Sequence, residues 1–316
     1  MDVLTPWLVG RRQLEQVCDV VTAFVEENLD PSTSPNFNTD DVDDMSVLFE
    51  LLSDPLIRDN QQIALGCLST VKILSRKDVN RSSISYEGVE SIVYYLSHSH
   101  NKHVGTECAS SILNICYEAQ NVDMLLRAGG VPPLIALLSS SEESVQAASM
   151  GAIQSICFQE AGKASIRDSG RVEDIVQLLE SPSIKVRTRA VGTIHNLTSD
   201  PDAIAAVRIA GAIPMLVTLL RATQSAITGS AAGAIQNMSR EDESREEIDD
   251  AGASDPLTDL LFGSDVQTQV CAVGALMNIV GPELGEVATA RRNAYKRLIS
   301  LSLSLGVVYH GLFTEE

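Results

Sequence analysis

The phrase CASSILNIC at 108–116 returns as SMGAIQSIC at 149–157, AVGTIHNLT at 190–198, AAGAIQNMS at 231–239 and AVGALMNIV at 272–280, each copy starting 41 residues after the one before. The columns headed by Cys108, Ile112 and Ile115 are small or apolar in every copy and stand four and three residues apart. That is the spacing of one face of a helix. A further column reads Asn114, Ser155, Asn196, Asn237, Asn278, with Ile73 one period earlier. It lies at the edge of the apolar stripe, where a polar side chain on a packed helix must find a partner or meet water.

A second set of columns shares the period. Gly88, Gly129, Gly170, Gly211 and Gly252 form one, continued by Asn293. Glycine recurring there implies a positive φ or a close backbone approach at a sharp bend. Five residues after it stand Val93, Leu134, Ile175, Leu216, Leu257 and Leu298, and eight after it Leu96, Leu137, Leu178, Leu219, Leu260 and Leu301. Four before it, Ile84, Leu125, Ile166, Val207 and Ile248 anchor a short helix. Each repeat therefore reads as short helix, glycine bend, medium helix, loop, long helix. A unit of about 40 residues cannot bury its apolar face alone, so stacked neighbours share one continuous core.

Outside this pattern, residues 10–29 carry Leu14, Val17, Val21, Phe24 and Val25 at helical spacing. The stretch NLDPSTSPNFNTDDVDD that follows has the composition of a loop, with Asp40, Asp41, Asp43 and Asp44 and no base. We therefore expect an N-terminal helix and acidic linker over 1–44 and a repeat stack over 45–316. Repeats fall near 45–77, 78–118, 119–159, 160–200, 201–241 and 242–282, and a terminal half-repeat over 283–316 ends in an apolar tail read as a cap.

Of the 316 residues, 44% are hydrophobic and 4% aromatic, which suits an aliphatic helical core. The net charge of −19 argues against nucleic acid, because neutralising phosphates takes clustered Lys and Arg, and it favours a basic protein or peptide partner. The six cysteines form no CxxC pair and five lie in or at the edge of the repeated helical phrase, so they read as core residues of a reducing, cytoplasmic compartment. No apolar run reaches the ~18 residues of a membrane span. Phosphate-loop, zinc-protease, hydrolase and kinase motifs are all missing. His98, His100 and His103 lack the Cys or carboxylate that would complete a metal site and read as a polar loop. No metal, cofactor or catalytic residue is expected, and the acidic run REDESREEIDD at 240–250 reads as a solvated face.

The phrase VRIAGAIPMLVTLL at 207–220, followed by SAAGAIQNMS at 230–239, resembles the armadillo-repeat family, and the likeness extends over roughly residues 45–302. It implies an all-α fold, a right-handed α–α superhelix of about five full repeats with partial capping repeats at both ends. It also implies a function as a non-catalytic scaffold that binds a protein or extended peptide along a concave groove, assembling a cytoplasmic or cytoskeletal complex. The alternative is a regulatory factor acting on a folded client such as a small GTPase or chaperone. In the family, asparagines matching Asn114, Asn196, Asn237 and Asn278 hold the backbone of an extended guest. Gln154, Ser155, His195 and Gln236 stand beside or within that line and complete the expected contact set. A competing reading has the asparagines tie neighbouring helices together. Importin-type members carry tryptophan four residues before the asparagine, where this chain has Ser110, Gly151, Gly192, Gly233 and Gly274. Those small residues lead us to expect a shallower, wider groove without cation–π capture of lysine.

Overall fold

The computed structural model describes residues 11–280 apart from 38, 40, 41 and 44. The expected half-repeat 283–316, its apolar tail and the column residues Asn293, Leu298 and Leu301 lie outside the described residues. Among those described, every regular element is helical. The chain divides into two compact units, Met1–Asp174 and Ile175–Glu316.

The first unit opens with α1 (Arg11–Asn28), then α2 (Ser46–Ser53), α3 (Pro55–Arg58) and α4 (Gln61–Leu74). Two full repeats follow: α5 (Asp78–Arg81), α6 (Tyr86–His98) and α7 (Lys102–Ile115), then α8 (Ala119–Arg127), α9 (Val131–Leu137) and α10 (Glu143–Ile156). The short helix of the next repeat is α11 (Glu160–Asp168), and its second helix, α12 (Val172–Gln177), runs through the division. The second unit holds α13 (Ile184–Leu197), α14 (Pro201–Ile209), α15 (Ala212–Leu219), α16 (Ser225–Met238), α17 (Asp242–Asp250), α18 (Ser254–Leu260) and α19 (Val266–Val280).

The long helices pack on one another in chain order, α1 on α4, α4 on α7 and α7 on α10 in the first unit, α13 on α16 and α16 on α19 in the second. Their shared stripe is the one the period picked out. Ile112, Ile153, Ile194 and Ile235 are wholly buried, as are Cys108, Ser149, Ala190, Ala231 and Ala272. Alternating one branched side chain with one small one lets neighbouring helices close up without voids.

The residues five and eight after the glycine are the expected buried face of the medium helix; Leu96 and Leu219 are buried so, but three medium helices depart from it. Leu137, Leu178 and Leu260, eight after the glycine, are only partly covered, whereas Leu138, Leu179, Leu220 and Leu261, nine after it, are buried. These helices are short, so Leu138, Leu220 and Leu261 cap their C-termini and the turning chain tucks the capping side chain into the core.

The glycine column splits in two. Gly129, Gly170, Gly211 and Gly252 take φ between 67° and 79°, the left-handed bend that joins short helix to medium helix. Gly88 instead sits inside α6, and a Cβ there would lie 2.7 Å from the ring of Phe49. The same residue type thus answers two needs, backbone freedom at four positions and close approach at the fifth.

The acidic stretch after α1 is loop, and Asp43 organises its end. The Asp43 carboxylate accepts from Lys77 Nζ at 2.9 Å, Asn80 Nδ2 at 3.1 Å and Asn36 Nδ2 at 3.1 Å, while its own amide donates to Asn80 Oδ1 at 2.8 Å. Arg76 donates to the carbonyls of Asn28 and Leu29, capping the C-terminus of α1. Burial pushes the Asp43 carboxyl up, but the Lys77 ammonium and the two amides outweigh it and hold the group below the ordinary range.

Candidate functional site

The polar edge of the long helices is a stitched seam, and the stitches run both ways along each unit. Asn114 on α7 donates from Nδ2 back to the Lys72 carbonyl at 3.0 Å and to Ser75 Oγ at 3.2 Å, at the end of α4. Asn237 on α16 repeats this onto α13, donating to the His195 carbonyl at 3.3 Å and to Thr198 Oγ1 at 3.5 Å. Asn278 on α19 donates to Ser239 Oγ at 3.0 Å. A helix leaves its last four carbonyls without intrahelical partners, and the asparagine of the following repeat supplies one.

The residue before the asparagine reaches the other way. A Cβ on Gly233 would lie 2.4 Å from His195 Nε2, and one on Gly274 would lie 2.3 Å from Gln236 Nε2. The imidazole of His195 therefore covers the Gly233 face of α16, and the Gln236 amide covers the Gly274 face of α19. This corrects the expectation of a wider groove at these two rungs: the space freed by the small residue is filled by a polar side chain of the preceding repeat. Burial against α16 lowers the His195 pKa from its ordinary value, so the neutral ring is favoured.

Among the residues expected to contact a guest, Ser155 and Asn237 are buried at 2% and 7% exposure. The Asn237 oxygen also accepts from Arg240 Nη2 at 3.1 Å. Asn114, Gln154, His195, Asn196, Gln236 and Asn278 are half-buried. Gln154 and Asn196 hold partners of their own. Among the described residues the oxygens of Asn114 and Asn278 accept no hydrogen bond, so each rung has spent its donor side and kept its acceptor side.

Three features escaped sequence reasoning. Asn121, wholly buried, ties the repeat joints by donating to the Ile115 and Arg81 carbonyls, both at 2.9 Å. Arg81 and Arg245 cap the carbonyls that end α4 and α16, reaching Arg76 O at 3.0 Å and Ser239 O at 3.2 Å. Tyr117 and Phe158, one period apart, form an exposed stacked pair with ring centroids 6.5 Å apart. Their shared register was the available signal.

The remaining expectations are quickly placed. His98 lies on the ring of Tyr94 at 4.4 Å, and no group of three metal-ligating side chains occurs among the described residues. In the acidic run, Glu241 pairs with Arg208 at 2.8 Å and Asp242 with Arg245. Cys67, Cys108, Cys116, Cys157 and Cys271 are buried free thiols, and burial pushes Cys67 and Cys157 up to about 12, so they stay protonated. No single helix among the described residues is long and apolar enough to cross a membrane.

A family model described as Armadillo/beta-catenin-like repeat matches residues 119–158 and 200–240, the repeats built by α8–α10 and α14–α16. Among solved structures, an engineered protein is 30% identical, with 75% of this chain and 97% of that chain covered at a TM-score of 0.68. A designed armadillo repeat protein is 23% identical, with 75% and 100% covered at 0.69. A designed armadillo repeat protein in complex with the peptide (KR)4 is 24% identical, with 75% and 100% covered at 0.67. No curated protein sequence matches. The fold is thus that of an all-helical repeat protein; the chain belongs to the armadillo-repeat family.

Proposed function

We propose that this chain is a non-catalytic interaction scaffold that binds an extended, basic protein segment along the polar edge of its long helices. One observation carries the reading: the half-buried asparagines Asn114 and Asn278 keep an acceptor oxygen free after their donor side is used within the fold. A surface of leftover acceptors on a chain of net charge −19 suits a guest rich in donors, which is what lysine, arginine and unpaired backbone N–H groups supply. The designed armadillo protein solved with (KR)4 supports the same chemistry of partner.

The test is a titration of labelled (KR)4 octapeptide at rising salt, on the parent chain and on Asn114→Ala with Asn278→Ala. Saturable binding that persists above physiological salt and weakens about tenfold in the double variant is expected, the loss of two hydrogen bonds at a partly wet surface. Binding that salt abolishes outright, with no difference between the two proteins, would reduce the interaction to non-specific charge attraction.

A further inference from the structure

Resting on the reading above, we infer that Glu107 is the carboxylate on which the guest seats a lysine or arginine, and that Lys72 is a competitor for it built into the fold.

Lys72, in the last turn of α4, is joined to α7 at both ends. Its carbonyl accepts from Asn114 Nδ2 at 3.0 Å, and its ammonium lies 2.6 Å from Glu107 Oε2. The second contact is close but misaligned: Oε2 is buried and takes no hydrogen bond from any described residue, so charge alone holds the pair. A half-buried carboxylate without an aligned donor is under-satisfied. Arg76, a second base within electrostatic reach of Glu107, is committed to the Asn28 and Leu29 carbonyls. The Glu107 side chain stays 18% exposed, which leaves it open to a base arriving from solvent.

Spacing sets what that base must be. Glu107 stands seven residues before Asn114, two turns back along the same face of α7 and about 10.5 Å away along its axis. A guest that gives a backbone N–H to the Asn114 oxygen has that distance to cover with its side chain. The long stems of lysine and arginine cover it with the help of the two methylenes of Glu107, and the arginine fork meets both carboxylate oxygens. The register is peculiar to α7, because Ala148, Arg189, Ser230 and Cys271 hold the position in the later long helices and none is a carboxylate. Lys72 shares its column with His195 and Gln236, and it alone of the three is a fixed cation.

The experiment uses the full chain and labelled (KR)4, read by fluorescence anisotropy at physiological salt. Lys72→Met keeps the apolar stem and removes the competing ammonium; Glu107→Gln keeps the shape and removes the charge. Arg221→Met, an exposed base just after α15, takes away the same charge elsewhere and serves as the control. We expect about a two- to fivefold gain for Lys72→Met and a loss of similar size for Glu107→Gln, the worth of an ion pair at a partly wet surface, with no comparable gain for Arg221→Met. The Lys72→Met, Glu107→Gln protein should bind like Glu107→Gln alone, because a competitor without its carboxylate has nothing to withhold. If Lys72→Met melts below the assay temperature, Lys72→Gln, whose amide still donates to Glu107, takes its place with the same expectation. Unchanged affinity in Glu107→Gln overturns the anchor. An unchanged or weaker Lys72→Met, or a gain that Arg221→Met matches, overturns the competitor. An affinity that ignores Glu107 but drops in the Asn114→Ala, Asn278→Ala protein leaves the polar edge as the binding surface and removes the anchor. The reverse pattern keeps the anchor and removes the polar edge, and a protein that binds no (KR)4 removes both.

Discussion

Asn237 and His195 carry the sharpest tests of the seam. Asn237 is buried and donates twice into α13, so Asn237→Ala removes both donations, leaving the His195 carbonyl with Thr198 Oγ1 at 3.1 Å and taking from Arg240 its Asn237 acceptor. The expected cost is about 1–3 kcal/mol in denaturant unfolding, against about 0.5–1.5 kcal/mol for Asn278→Ala, whose amide stays half in water. Equal costs would mean that burial does not govern the seam. His195 offers a pH handle. Its folded pKa is lowered by burial, so the unfolded chain binds the proton more readily. The stabilisation is full above the ordinary histidine value and is lost as pH falls from about 6.5 toward the folded pKa. In Gly233→Ala the new methyl would meet the ring at 2.4 Å and displace it into solvent. The His195 titration, followed by its imidazole NMR signals, should then move up toward the ordinary value and that acid sensitivity should shrink. An unmoved titration would show that α16 is not what buries the ring. At this scale the sequence was half legible. The asparagine column was visible and both its possible partners were weighed, but the direction of the Nδ2 groups depends on carbonyls exposed at the end of another helix. The glycine column misled because its filler, His195 or Gln236, comes from the preceding repeat. A signal was present, since Lys72, Gln154, His195 and Gln236 make the position before the asparagine polar in four repeats.

At the scale of elements, α1 and the acidic loop do for the first repeat what a preceding repeat does elsewhere. The α1 helix packs on α4 as one long helix packs on the next, with Val17 and Val21 buried and Val21 Cγ2 only 2.6 Å from where a Gly66 Cβ would stand. Asn80 and Asn121 occupy one column. Asn121 donates to the preceding short helix at the Arg81 carbonyl, and Asn80, lacking such a helix before it, donates to the Asp43 carboxylate. Asp43→Ala would take the carboxylate from the Lys77 ammonium, which is 7% exposed and also donates to Thr39 Oγ1 at 3.2 Å, and removing one partner of a buried pair costs about 3–5 kcal/mol. The expected result is a stability loss of that order, with amide exchange rising first around residues 42–80. A loss confined to a few tenths of a kcal/mol would show that the pair is solvated. Asp43→Asn separates charge from shape, since the amide can still accept from Asn80. The parent's carboxylate contribution is present above the ordinary Asp value near 3.8 and is lost as pH falls through the lowered folded value. The composition of this loop, rich in Pro, Ser and Asp, announced the absence of a helix correctly. It could not announce the anchoring, which rests on Lys77 and Asn80, residues that sequence distance places far from Asp43.

At the scale of the whole chain the 41-residue period is itself a physical statement: at three joints a repeat ends its long helix with the acceptor that the asparagine of its successor needs. The donor of Asn237 finds a Ser/Thr hydroxyl and a helix-end carbonyl on α13, and Asn114 finds the same pair on α4. Ser75, Thr198 and Ser239 are those hydroxyls, and all three are wholly buried. Because the joints are alike, removing one period in register should re-form a joint rather than open the core. Deleting residues 201–241 brings Asn278 to the end of α13, where Thr198 replaces Ser239 as its acceptor. The Gly274 face then meets His195 in place of Gln236, a bulkier ring on the same backbone gap. The deletion protein should therefore fold cooperatively, with mean residue ellipticity matching the parent and an m-value reduced in proportion to 41 of 316 residues. A deletion of the same size shifted by half a period, which joins a medium helix to a short one, should not fold, because it sets the apolar stripe of one element against the polar face of another. If the in-register deletion were the one that collapsed, the repeats would not be interchangeable and the stack would have to be held by contacts peculiar to each joint.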